Sequence, residues 1–309
     1  MKELRPKTYK NFIGVGNIDE AIRLSIEDPE QGGVTMFTQA DNGYIDKTFL
    51  FHSRDGRTLK LSGKYHSFWG DYERDILLAV KNGHLMRIIT GTTFSESIIR
   101  PNVGNFHMEY LTIGNTIYFT NNVIIGAIED YTARDLRLPA YQYKRRLPAG
   151  HLIEQYRGRT YLAKTIGDDH FIIYTDGYNY EHFDERSDKG FFRIPARATM
   201  LKAVNDGIYL SCGDTRFLWG TSPEKLQPIK VSDFPAFEGS ARSAKDIQIG
   251  KNKYKNAVLW TSREGAFIGG DEGFYENLIG SRYKPVIEGM GCGFITQGTI
   301  NQYISILRN

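Results

Sequence analysis

Three pairs of adjacent acids are the first groups that could do acid–base chemistry: Asp168-Asp169, Asp184-Glu185 and Asp271-Glu272. Glycoside hydrolysis needs two carboxyls facing each other across a cleft. Neighbours on a strand point to opposite faces, so adjacency is the wrong geometry. All three pairs sit among turn-forming residues and read as solvated loop acids. The seven histidines (His52, His66, His84, His107, His151, His170 and His182) are scattered, and no two have the helix-type spacing of a metal site. His170, close to Asp168-Asp169, is the one point where a metal set could begin. No Gly-x-Ser-x-Gly elbow is present, so the chain assigns no Ser/His/acid triad. Gly14-Val15-Gly16 opens like a dinucleotide fingerprint, but the third glycine and the strand–helix context are absent.

Binding chemistry is similarly diffuse. The stretch from Tyr174 to Phe183 carries Tyr178 and Tyr180 as well; exposed, it would stack sugars or fill a partner's groove, and as an alternating strand face it is core or subunit contact. Tyr143-Lys144-Arg145-Arg146 and Lys251-Asn252-Lys253-Tyr254-Lys255 could touch phosphate or an acidic partner. Net charge is only +3 and evenly spread, so charge does not support a dedicated DNA contact. Cys212 and Cys292 are the only cysteines and form no CxxC, which argues against structural zinc and suits a reducing cytosol. Met1-Lys2-Glu3-Leu4-Arg5-Pro6 lacks a signal-peptide core, and no apolar run reaches the length of a membrane span. These observations predict a chain with no cofactor, no metal and no enzymatic activity.

The elements that hold these residues are easier to read. An apolar run, a Gly/Asn/Asp turn and a second apolar run recur about every 40 residues, around Asn82-Gly83, Gly207-Ile208 to Gly213-Asp214, and Glu264-Gly265. Short strands at that period select a propeller of four-stranded blades. Full units fall near 65–100, 105–140, 150–195, 196–235 and 238–283. Their leading strands include Met108-Glu109-Tyr110-Leu111, His151 to Tyr156 and Ala198 to Val204. A hairpin at 47–61, turning on Asp55-Gly56, and another at 293–307 are half a blade each. Pairing them would close the ring and remove its exposed edges. The expectation is an all-β propeller of about six blades, with five or seven also compatible, over residues 35–309. Trp69, Trp219 and Trp260 are expected in its core. No segment keeps a helical period, which excludes a doubly wound α/β fold.

Residues 1–34 form an extended arm. Phe12, Ile13, Val15, Ile18, Ile22 and Leu24 are too many apolar groups for a solvated tail and too few for a core. Gly32-Gly33 supplies a hinge. The candidate protein-contact residues are therefore Phe12, Ile13, Ile18 and Ile22 on the arm, with Lys144, Arg145 and Arg146 in the basic cluster.

Two resemblances enter at this point. Ser53-Arg54-Asp55-Gly56-Arg57-Thr58-Leu59 partly resembles the Asp-box hairpin of sialidases, but lacks its spacer and tryptophan; an ordinary Asp-Gly hairpin explains it. The order Asn17-Ile18-Asp19-Glu20, Tyr65-His66-Ser67-Phe68-Trp69, Leu85-Met86-Arg87-Ile88, Ile117 to Asn121, Arg157 to Ala163, Val258 to Gly265 and Gln302-Tyr303-Ile304-Ser305 resembles β-propeller virion proteins of tailed bacteriophages and prophages, over most of 12–307. That resemblance implies a structural subunit of the tail or head–tail junction. It would be present as a homo-oligomeric ring or in several copies, contact other virion proteins and no membrane, and be assembled in the host cytoplasm. It supplies no site residues. The competing readings are a glycan-binding or glycan-cleaving propeller at the host surface and a cellular interaction scaffold.

Overall fold

The computed structural model describes residues 12–15, 25–26, 34–37, 43–45, 51–53, 59–71, 76–90, 93–137, 149–183, 190–249, 252–278, 290–296 and 302–308. Five consecutive four-stranded antiparallel meanders make up most of these residues.

In chain order, the first strands are β1 (Phe12–Val15), β2 (Ser25–Ile26), β3 (Val34–Phe37), β4 (Gly43–Ile45) and β5 (Phe51–Ser53). Sheet I is β6 (Tyr65–Asp71), β7 (Ile76–Lys81), β8 (His84–Ile89) and β9 (Ser95–Arg100). Sheet II is β10 (Glu109–Ile113), β11 (Thr116–Thr120), β12 (Ile125–Glu129) and β13 (Thr132–Arg134). Sheet III is β14 (Leu152–Tyr156), β15 (Arg159–Ile166), β16 (Asp169–Tyr174) and β17 (Phe191–Ile194). Sheet IV is β18 (Met200–Ala203), β19 (Gly207–Ser211), β20 (Thr215–Trp219) and β21 (Gln227–Ser232). Sheet V is β22 (Arg242–Ile249), β23 (Asn252–Ser262), β24 (Gly265–Gly269) and β25 (Tyr275–Asn277). A final hairpin joins β26 (Met290–Thr296) to β27 (Gln302–Arg308).

Tight turns make the meanders. Asn82-Gly83 and Arg157-Gly158 both hold two successive residues at positive φ, at 52° and 75° and at 45° and 72°. That backbone matches the twist of the flanking strands, and Asn and Gly adopt it readily.

Alternation along each strand then feeds two cores at once. Ile117 and Phe119 of β11 face sheet I, while Tyr118 between them faces sheet III. The same division recurs down the chain, with one apolar cluster between each pair of consecutive sheets. A further cluster lies between sheet V and Ile295 and Tyr303 of the last hairpin. The first strands β10, β14, β18, β22 and β26 are successive neighbours. Sheets packed face to face with their first strands together are arranged as propeller blades.

The last hairpin is bound closely to sheet V. Gly291 N–H donates to Glu238 O at 2.7 Å, and Gly293 N–H donates to Gly239 O at 2.9 Å. A Cβ on Gly293 would lie 2.0 Å from Ser240 O, so the approach needs glycine. Tyr303 Oη donates to Ser240 O at 2.7 Å.

Some expectations are corrected. Trp260 is fully buried and Trp69 is half-buried, packed against the core between sheets I and II and stacked on Tyr110, but Trp219, the last residue of β20, is 50% exposed. Phe217, two residues earlier on the same face of β20, is fully buried against sheet V, so burial stops short of the strand's last residue. Phe51–Ser53 pairs backward with Gly43–Ile45. The expected forward turn at Asp55-Gly56 lies outside the described residues. Among the described residues, no strand ladder joins β4 or β5 to β26 or β27. The arm strands β1 and β2 both pair with β3, in parallel and antiparallel fashion respectively.

Candidate functional site

The first strands of sheets II, III and IV bring three ionisable groups together. Lys202 Nζ lies 3.6 Å from Glu109 Oε2 and 3.7 Å from Glu154 Oε2. Glu109 is buried, and the Glu154 and Lys202 side chains are mostly so. Charges so placed are costly unless paired. Burial alone would raise both carboxyls, yet they part company. At Glu109 the Lys202 ammonium and a hydrogen bond from His107 outweigh burial and hold the carboxyl far below the usual range. At Glu154 burial prevails over Lys202, and the neighbouring Glu109 charge raises the group further. Lys202 thus stands beside one firmly ionised carboxylate and one reluctant one. The cost of ionising Glu154 is reduced by a hydrogen bond of 2.9 Å from Gln155 N–H to its Oε1.

A chain of polar groups runs from Glu109 to sheet I. His107 Nε2 is 3.1 Å from Glu109 Oε1. His107 Nδ1 is 3.4 Å from Ser67 Oγ, which is 2.8 Å from His66 Nδ1. Met108 N–H donates to the same Ser67 oxygen at 2.8 Å. Ser67 reaches this position because β6 bulges. His66 pairs with Val80 and Trp69 with Leu78, so Ser67 and Phe68 share Ala79 as their opposite. Ser67 has φ of 54°, a left-handed conformation that a serine rarely holds. Bulges re-aim side chains in this way.

Two other networks are internal fastenings. Arg197 Nη2 is 2.6 Å from Glu238 Oε1, and His151 Nε2 is 2.8 Å from Ala198 O. Burial, helped by Arg197, pushes the His151 imidazole down to about 4. Between sheets II and III, Arg134 joins Glu129 at 2.6 Å and Glu181 at 2.7 Å. A groove of about 640 Å³ is lined by Thr199, Asp233, Phe234, Phe237, Glu238 and Arg263, among others. Its two acids are each ion-paired, Asp233 with Lys230 and Glu238 with Arg197.

The residues singled out from sequence are dispersed. Phe12 and Ile13 lie in β1, where the backbone alone is described; Ile18, Ile22, Lys144, Arg145 and Arg146 lie outside the described residues, as do Asp184 and Glu185. Asp168 and Asp169 are exposed on a hairpin turn. Asp271 accepts hydrogen bonds from Asn205 N–H at 3.0 Å and from its Nδ2 at 2.7 Å, tying two sheets together. His170 contacts Thr165 Oγ1 at 3.0 Å, and no metal-binding group of three or more ligands occurs among the described residues. Phe183 is core, whereas Tyr178 is 86% exposed. Lys253 and Lys255 are exposed on β23. Cys212 is buried and Cys292 exposed.

Sequence reasoning missed Ser67, His107, Glu109, Glu154 and Lys202 as a group. One signal was available. Met108-Glu109-Tyr110, Ile153-Glu154-Gln155 and Leu201-Lys202-Ala203 each set an ionisable residue in the leading strand of a unit. An ionisable group at a repeated buried position implies a partner at the equivalent position.

No protein-family model matches the chain, and no curated protein matches it. Its sheet arrangement is similar to three solved structures. One is a nidogen/laminin complex, at 13% identity and a TM-score of 0.38, covering 63% of this chain and 72% of that one. Another is the WD40 β-propeller domain of Doa1, at 7% identity and a TM-score of 0.34, covering 66% and 79%. The third is a quinoprotein alcohol dehydrogenase-like protein from Bacteroides thetaiotaomicron, at 12% identity and a TM-score of 0.36, covering 75% and 58%. No helix among the described residues is long and apolar enough to cross a membrane.

Proposed function

We propose that this chain is a structural subunit of a tailed-bacteriophage virion, in the tail or head–tail junction, where it holds neighbouring virion proteins in a symmetric assembly. The observation that carries the reading is the division of polar and apolar groups. Buried ionisable groups near the first strands are committed to one another, as in Glu109–Lys202–Glu154 and Arg197–Glu238. Large apolar side chains are exposed as well, several of them on third and fourth strands (Ile89, Ile98, Trp219, Ile229 and Tyr275), with others such as Phe68 and Ile166 on first and second strands. A stiff body with this many exposed apolar groups suits packing between neighbours. In this reading the five described meanders are five blades. The β4–β5 and β26–β27 hairpins complete a sixth, closing the ring. The arm of residues 1–34 then reaches an adjacent subunit or another virion protein.

Immunogold labelling of purified particles with antibody to this chain tests the reading. Gold confined to the tail or head–tail junction is the expected result; unlabelled particles overturn it. The competing glycan-binding reading has one observation in its favour, the pairing of Phe234 and Phe237 with two acids in the groove. Glycan-array binding that is lost on Phe234→Ala would favour it.

A further inference from the structure

We propose that Ser67 is the nucleophile of an acyl-transfer site that cleaves short-chain carboxylic esters, with His107 as its base and Glu109 as the residue that positions His107. This goes beyond the assembly role, and neither reading depends on the other.

Ser67 stands at the head of a serine–histidine–carboxylate chain, with its hydroxyl oxygen also accepting from Met108 N–H at 2.8 Å. Ser67 Oγ is 3.4 Å from His107 Nδ1, and the far nitrogen of the same ring, Nε2, is 3.1 Å from Glu109 Oε1. Catalytic hydrogen bonds are commonly this long before substrate binds. Glu109 stays ionised, so it accepts from Nε2–H and leaves Nδ1 as a bare acceptor facing the hydroxyl. A base held by a third group in this way is the general signature of nucleophilic catalysis, whatever the residue order. The three residues come from two places in the chain: Ser67 from the bulge of β6, and Glu109 and His107 from the start of β10 and the segment just before it.

Two further features set Ser67 apart from a serine that merely joins two sheets. Its φ of 54° is a strained backbone state. Such states cluster at functional positions, and nucleophile elbows share one. Ser67 is also only half-buried, and it is followed by Phe68, which is 55% exposed, while Phe106, 52% exposed, precedes His107. The chain on either side of the pair therefore carries exposed aromatic surface. His66 is closer to the hydroxyl, at 2.8 Å, but its Nε2 has no hydrogen-bond partner among the described residues. Burial, then the nearby His107, lowers its pKa, so it disfavours the imidazolium that a base must become.

The reaction closes as follows. Ser67 Oγ attacks the ester carbonyl carbon, and its proton passes to His107 Nδ1. The tetrahedral adduct collapses, the ester C–O bond breaks, and the departing alcohol oxygen takes the proton from His107. Water, deprotonated by His107, attacks the acyl carbon, breaks the Oγ–acyl bond and releases the carboxylic acid. The proton returns to Ser67.

The test treats the folded full-length chain with a fluorophosphonate probe and locates adducts by peptide mass spectrometry. The expected result is modification of Ser67 at least tenfold faster than of any other serine, falling at least tenfold in His107→Gln. No Ser67 adduct, or an unchanged rate in His107→Gln, overturns the proposal. A second measurement holds even if His107→Gln fails to fold. In Ser67→Cys, the alkylation rate at position 67 is followed against pH, with iodoacetamide as the probe. Half-maximal reactivity at or below about pH 7 is expected from a thiol beside an imidazole. A midpoint at about 8.5, that of an unperturbed thiol, contradicts it.

Discussion

Lys202 of sheet IV is almost equidistant from Glu109 of sheet II and Glu154 of sheet III, at 3.6 and 3.7 Å, yet the two carboxyls are displaced in opposite directions. Distance to the cation therefore does not decide ionisation here. At Glu109 the Lys202 charge, joined by the hydrogen bond and charge of His107, outweighs burial; at Glu154 burial outweighs Lys202 and the backbone hydrogen bonds, and the Glu109 charge adds to it.

Glu109→Gln should destabilise the fold at neutral pH by about 1–3 kcal/mol, the usual cost of stripping a buried charged partner. Glu154→Gln keeps the acceptor for Gln155 N–H and removes a reluctant charge, so it should be neutral or stabilising. Chemical denaturation of both variants at pH 7 checks this. Equal losses would contradict the asymmetry.

The same asymmetry sets the pH dependence. Glu109 is lowered on folding, so its contribution is present above the ordinary glutamate range, about pH 4.3, and is lost as pH falls toward its folded value. Glu154 is raised, so its ionisation opposes folding as pH rises through its folded value. Replacing Glu109 with Gln should flatten the acid limb of a stability–pH profile between about pH 5 and 2. An unaltered acid limb would show that other carboxylates govern it.

The tryptophans give a direct packing test. Trp260→Ala should cost about 3–5 kcal/mol, because the side chain is fully buried between sheets IV and V. Trp219→Ala should cost under about 1 kcal/mol, since half of that residue is exposed. Similar losses from urea titration of the two would mean that the end of β20 is covered.

Docking of the last hairpin depends on glycine. Gly293→Ala puts a Cβ 2.0 Å from Ser240 O and must move backbone, costing about 1–3 kcal/mol. Tyr303→Phe removes the hydrogen bond to Ser240 O and should cost about 1 kcal/mol. Thermal melts resolve both. If Gly293→Ala melts with the wild type, the hairpin does not sit against residues 238–240.

Blade spacing was legible because apolar alternation and Gly/Asn/Asp turns such as Asn82-Gly83 are local. Sheets I to V fall within the five units read from the chain. Trp219 was not legible, because alternation cannot tell a covered strand end from an open one. The pairing of Phe51–Ser53 was missed because Asp55-Gly56 is a strong turn signal that drew the reading forward. The polar site was invisible for a different reason. Ser67, His107, Glu154 and Lys202 stand 40, 47 and 48 positions apart in turn, a spacing set by blade length, with no short motif linking them. Only repeated ionisable residues in leading strands hinted at it.

The arm tests what assembly requires. Removing residues 1–30 takes away β1 and β2 but should leave sheets I to V folded, with the same melting temperature, and prevent incorporation into particles. Normal incorporation of the truncated chain would remove the arm from the account.

The central claim is that the chain is a virion component. Quantitative mass spectrometry of gradient-purified particles, with isotope-labelled peptides from sheets II and IV, measures it most directly. The account predicts a fixed whole-number copy ratio to the major capsid protein, unchanged after a salt wash. Absence of the chain from particles, or a ratio that drifts with washing, would contradict it.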